Sequence, residues 1–309
     1  MAAEPQNPAT TTPAPAPPPL SRGKIFLRRL LSSVVLWTIV LLAIFSKNKI
    51  VSDYFFLAVM ILLAGAGLVE FYDLARKIGL PCYKGWGIFG GLLLMFASFL
   101  YVSGLIASNV RPEEANDFET SFLILFVLGL CVRQFVSKSN PEAITAIATT
   151  LFGLMYVPWL LNFIQKINFY PEINGKFYVL YFILVTKFSD LGAYVTGSLF
   201  GKHKMIPRIS PGKTWEGFAG AIVISTLISI AFAKLAKLPE LTTLHAIVLG
   251  IILSSTAVIG DLIESLFKRE AGVKDSGKLF PGIGGILDLM DSLLFNAPLM
   301  YLYLRHVML

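Results

Sequence analysis

Residues 244–268 read LHAIVLGIILSSTAVIGDLIESLFK, with no Asp, Glu, Lys or Arg before Asp261. A helix needs about 20 mostly apolar residues to cross a bilayer, so this run is long enough. It is continuous, whereas barrel strands need short alternating segments, so a helix is predicted and strands are not. Its last turns carry Asp261, Glu264 and Lys268, charges that cost several kcal/mol inside a membrane unless they are paired, hydrated or metal-bound.

Working outward, similar runs bounded by charges or turn residues predict helices at about 30–46, 53–75, 86–107, 120–136, 142–164, 177–200, 215–235 and 291–308. The fold class is therefore an all-α polytopic integral membrane protein with about nine transmembrane helices. Composition agrees. Of 309 residues, 55% are hydrophobic and 15% charged, against roughly 25% charged in a soluble domain, which excludes an ordinary water-soluble enzyme.

The net charge of +7 comes from 26 Lys+Arg against 19 Asp+Glu. These basic residues mostly flank apolar runs, so they orient helices rather than bind nucleic acid. With the N-terminus inside, 17 of the 26 fall in inner loops and 8 in outer ones, with Lys187 inside a span. That asymmetry predicts an N-in, C-out arrangement. The acidic stretch RPEEANDFE (111–119) falls outside and reads as a solvated connection.

Residues 1–22 form a Pro/Ala/Thr-rich tail, predicted to be disordered and lacking the features of a secretory signal. Cys82 and Cys131 are too few and too far apart for a disulfide framework or zinc site and read as packing residues. His203, His245 and His306 lack metal-ligand spacing.

The chemistry gathers in two inner loops and the helices beside them. In the run above, Asp261, Ser265 and Lys268 share a helical face, with Glu264 alongside. The bland alternative is a salt bridge from Asp261 or Glu264 to Lys268. The following segment, VKDSGKLFPGIGGILDLMDS, holds Lys274, Asp275 and Lys278, then glycines 282, 284 and 285, then Asp288 and Asp291. Glycines let backbone N–H groups approach ligand oxygens, which suits phosphates. Asp288 and Asp291 share a face if the last helix has begun there. With Asp261 they make an oxygen-rich set for Mg²⁺, which favours carboxylates plus substrate phosphates. Lysines beside such a set suit phosphoryl or nucleotidyl transfer.

The other loop, GKHKMIPRISPGKTWEG (201–217), contains Lys202, Lys213 and Glu216, and Asp190 lies in the helix before it. It is not a P-loop, because Pro207 stands where the first glycine is needed. A plain topogenic basic loop is the alternative. An ion-coupled transporter using Lys187, Asp190 and Asp261 is a further one.

At these residues the chain resembles the phosphatidate cytidylyltransferase family, also called CDP-diacylglycerol synthase. One motif is carried by Ser265, Lys268, Arg269, Lys274, Asp275, Gly277, the Pro/Gly turn, Asp288 and Asp291. The other is carried by Asp190, residues 192–194, Gly197, residues 200–202 and residues 210–217. The resemblance implies a transmembrane cytidylyltransferase domain over 23–309, with its catalytic C-terminal half at about 185–295. It implies transfer of CMP from CTP to phosphatidic acid, with Mg²⁺ on Asp261 and Asp288 and K⁺ as a candidate second ion. Asp261, Lys268, Asp288 and Asp291 would be catalytic. Ser265, Arg269, Lys274, Asp275, Gly284, Gly285, Lys202, Lys213 and Asp190 would bind substrate.

The implied partners are CTP, phosphatidic acid and membrane lipids, with a homodimer as a candidate assembly and no nucleic acid. A bacterial inner membrane with cytoplasmic catalytic loops is the implied setting. The family commonly has a histidine between the turn glycines and an arginine after the first closing aspartate. Ile283 and Leu289 stand there instead, so a catalytically silent homologue is the remaining alternative.

Overall fold

The computed structural model describes residues 48–106, 112–137, 142–277 and 284–309, together with positions 38, 41 and 42. The tail expected over 1–22, most of the span at 30–46, and Lys278 to Ile283 lie outside the described residues.

Helix α1 (Lys49–Lys77) starts where Asn48 Oδ1 accepts the Ile50 N–H at 3.0 Å. Helix α2 (Lys84–Val102) ends five residues earlier than expected, because Gly104 takes a positive φ of 80° and turns the chain. Helix α3 (Pro112–Val136) starts eight residues early, and Pro112 at its first position explains why. Helices α4 (Ala143–Leu154) and α5 (Leu160–Asn168) form one continuous rod, joined by a π-helical turn at Met155–Trp159. Pro158 lacks the N–H that an α-helical turn would use there.

Helices α6 (Gly175–Phe200), α7 (Trp215–Ala236) and α8 (Thr243–Glu270) pack in sequence. Helix α9 (Ile286–Tyr303) then packs on α8 and returns to α5, α6 and α1. Among the described residues, seven helices are long and apolar enough to cross a membrane, counting α4–α5 as one. The protein is a polytopic all-α membrane protein. Helix α9 starts at Ile286, five residues before the expected 291, so Asp288 and Asp291 both lie on it.

The core runs through Leu68 and Tyr72 of α1, Val157, Tyr181 and Phe182, and Met290 and Leu294 of α9. Large apolar side chains such as Phe135, Leu227 and Leu235 face outward, as a lipid-facing surface requires. Cys131 is exposed on α3, so it is not the packing residue expected; Cys82 is half-buried, and both thiols are free.

Two further expectations change. The loop before α7 contains a short antiparallel hairpin, β1 (Lys204–Ile206) and β2 (Ser210–Thr214). It lies outside the spans, where no apolar run forced a helix. The stretch read as a solvated connection instead enters α3, where buried Glu119 pairs with buried Lys166 at 2.6 Å. Asn116 and Asn162 complete that network. Lys166 is therefore a core charge and not an outer-loop one.

Candidate active site

The C-terminal ends of α6 and α8 and the N-terminal ends of α7 and α9 meet on one side of the bundle. Between them and the hairpin lies a cleft of about 640 Å³, within the roughly 300–1,000 Å³ of small-molecule sites. At 1.5 Å rise per residue, Asp190 lies about 15 Å before the end of α6, so the cleft reaches nearly three turns into the bundle.

Helix α8 approaches α9 closely at Gly260. A Cβ there would lie 2.7 Å from the Asp291 carbonyl oxygen. Small residues permit such contacts between membrane helices. Because the backbones touch, Asp261, Glu264 and Asp291 bring one oxygen each within 4.8 Å of one another. Glu264 and Asp291 are buried, and Glu264 Oε1 has no hydrogen-bond partner.

The cations around this cluster come from three elements. Lys213, on the hairpin, pairs with Asp261 Oδ2 at 2.5 Å. Lys268 pairs with Glu264 on its own helix and with Asp288 Oδ1 at 2.5 Å. Lys187 donates to the Leu289 carbonyl at 2.9 Å and faces Asp190 Oδ2 at 3.5 Å. Ser265 donates to Asp261 Oδ1 at 3.3 Å.

Asp288 is held more tightly than the other acids. Its Oδ2 accepts the Ser276 N–H at 2.9 Å and the Gly285 N–H at 2.8 Å, and the Ser276 hydroxyl oxygen lies 2.9 Å from it. Gly284 makes the approach at a φ of +115°, where a side chain would be strained. The next donors in α9, the N–H groups of Ile286 and Leu287, go to Glu70 of α1 at 3.0 and 2.9 Å.

The cytidylyltransferase family model matches residues 27–307. The chain belongs to the cytidylyltransferase family. It is 34% identical over 245 residues to the phosphatidate cytidylyltransferase of Bacillus subtilis (strain 168), covering 79% of this chain and 87% of that protein. It is 36% identical over 219 residues to that of Staphylococcus haemolyticus (strain JCSC1435), covering 71% and 78%. It is 39% identical over 163 residues to that of Mycobacterium bovis (strain ATCC BAA-935 / AF2122/97), covering 52% and 51%.

In this cytidylyltransferase the cleft is lined by Asp190, Lys213, Asp261, Ser265, Lys268 and Arg269, and also by Lys274, Asp275, Asp288 and Asp291. Ten of the residues singled out from sequence thus converge. Of the thirteen expected catalytic and substrate-binding residues, three do not line it. Lys202 is exposed, and its backbone N–H is held by Glu216 at 3.2 Å. Gly284 and Gly285 instead shape the start of α9. The Gly285 N–H, one of the glycine donors expected to suit phosphate, is bound to the Asp288 carboxylate, and the N–H groups of Ile286 and Leu287 are bound to Glu70.

Arg269 has a second attachment, its Nε donating to the Ile209 carbonyl at 3.1 Å and so tying α8 to the hairpin. The cation paired with Asp261 is Lys213 rather than Lys268, which sequence distance hides. Glu70 was missed altogether. It sits in the second expected span, and the cost of an intramembrane carboxylate applies to it as much as to Asp261.

Proposed function

We propose that this protein transfers CMP from CTP to phosphatidic acid, forming CDP-diacylglycerol and pyrophosphate. The observation that carries this reading is the convergence of Lys213, Lys268, Arg269 and Lys274 with Asp261, Asp288 and Asp291 on one cleft, in a chain of this family. In the reaction a phosphate oxygen of the lipid attacks the α-phosphorus of CTP. The bond from that phosphorus to the bridging oxygen breaks, and pyrophosphate leaves with the bonding electrons. Such a transfer needs positioning and charge neutralisation more than a protein nucleophile.

Lys213 and Lys268 already meet carboxylates, so an entering triphosphate would exchange one anion for another without stripping a hydrated ammonium. Lys274 is exposed at the rim and suits first contact with the nucleotide. Asp190 and Lys187 fix α6 against α9 at the floor.

The clustered oxygens of Asp261, Glu264 and Asp291, with one buried Glu264 oxygen lacking a partner, fit a hard divalent ion. Mg²⁺ on Asp261 is our assignment, with Asp288 the second ligand and Asp291 and Glu264 beside it. Bound there, the ion would offset triphosphate charge. K⁺ as a second ion belongs to the same proposal and is tested by omitting it at fixed ionic strength.

We place the protein in a bacterial inner membrane with the cleft facing the cytoplasm, where CTP is found. Phosphatidic acid would enter from the surrounding lipid, with its headgroup at the cleft. A homodimer is tested by native mass in detergent.

The deciding experiment incubates purified protein with labelled CTP, phosphatidic acid and Mg²⁺ and follows lipid-linked CMP. Product formation that requires both substrates is the expected result. No product across a range of Mg²⁺ and K⁺ overturns the reading.

A further inference from the structure

Glu70 is 206 residues from Ser276 and over 210 from Ile286 and Leu287, yet one carboxylate binds all three. Its Oε1 accepts the Ile286 N–H at 3.0 Å. Its Oε2 accepts the Leu287 N–H at 2.9 Å and the Ser276 hydroxyl at 2.9 Å. Those N–H groups belong to the first turn of α9, which has no intrahelical acceptors for them and carries the positive end of the helix dipole. The fit is close. A Cβ on Gly277 or Gly285 would collide with the Glu70 carboxylate.

The same contacts reach the catalytic acids. Ser276 gives its N–H to Asp288 Oδ2 while its hydroxyl lies 2.9 Å from both Asp288 and Glu70. A hydroxyl has one proton, so with the N–H committed to Asp288, the hydroxyl proton is available to Glu70. Asp288 and Asp291 are two and five residues past Ile286, on the turns that Glu70 anchors. Helix α1 supplies none of the residues lining the cleft.

We propose that Glu70 is a positioning residue for nucleotidyl transfer: from α1 it fixes the start of α9 and the 271–277 segment, and thereby the placing of Asp288 and Asp291 against α8. This rests on the transfer reaction proposed above. Glu70 acts through α9 and touches no substrate, so its loss should lower kcat and raise the Mg²⁺ concentration needed for half-activation, leaving KM for phosphatidic acid within about twofold.

The test measures CMP transfer per folded protein for wild type, Glu70→Gln, Glu70→Asp and Ser276→Ala, alongside thermal unfolding in detergent. Glu70→Gln keeps the size but in either amide orientation sets an NH₂ group against at least one of the donors these oxygens now accept, and a kcat loss of tenfold or more is expected. Ser276→Ala should lose several-fold, and Glu70→Asp should recover part of the Glu70→Gln loss. Asp73→Asn, one turn along on the exposed side of α1, is the unchanged control.

A folded Glu70→Gln with wild-type kcat and Mg²⁺ dependence overturns the proposal. So does activity that falls only in proportion to the folded fraction. If Glu70→Gln does not fold, Ser276→Ala decides: unchanged kcat and Mg²⁺ dependence in that folded variant overturn it. No product from wild type instead defeats the transfer reaction itself, a distinct outcome.

Discussion

Asp261 receives the hairpin's lysine, the Ser265 hydroxyl and the neighbourhood of two further carboxylates. Asp261→Asn keeps the shape but removes the charge, and turnover should fall about 10²-fold or more, as when a main electrostatic contributor is lost. The labelled-CTP assay on folded variant checks this, and near-normal turnover refutes the assignment. Lys213→Met leaves Asp261 without its partner and should lower kcat/KM for CTP about 10- to 100-fold. Gly284→Ala puts a side chain at φ +115° and 2.5 Å from Asp288 Oδ2. Strain of about 1–3 kcal/mol is expected, seen as a lower unfolding midpoint together with lost activity. At this scale the sequence was most informative where charges break apolar runs, as at Asp190, Asp261 and Lys268. It was silent on pairings such as Lys213 with Asp261, because helical spacing relates only residues on one helix.

Helix positions were readable because each span must be long and apolar, whereas their ends depend on local caps. Gly104 and Pro112 moved two ends, and the N-terminal contacts of α9 moved another. The hairpin and the π-helical turn left no mark in hydrophobic periodicity. The α3–α5 contact offers a test at this scale. Lys166→Met leaves Glu119 buried and unpaired, which should destabilise by about 3–5 kcal/mol. Combining it with Glu119→Gln should restore part of that loss, measured as unfolding midpoints in detergent. The network lies away from the cleft, so kcat of the folded fraction should stay within about twofold. A large kcat change with little loss of stability would contradict a structural role for this pair.

For the whole molecule, loops 78–83 and 201–214 and residues 271–277 lie on one side of the bundle, as alternating spans require. A single cysteine at Arg208 in a cysteine-free background should react with a membrane-impermeant reagent only after the cytoplasmic face is opened. Labelling of intact cells would reverse the proposed orientation. The Glu70 contacts also bear on how the protein is made. Glu70 leaves the ribosome 216 residues before Ile286, an interval of about 10–40 s at 5–20 residues per second. For that time α1 holds a carboxylate without its eventual partners. On the proposed mechanism the nascent protein is inactive until α9 inserts, and a chain released before that point should be inert and a natural target for quality-control proteolysis.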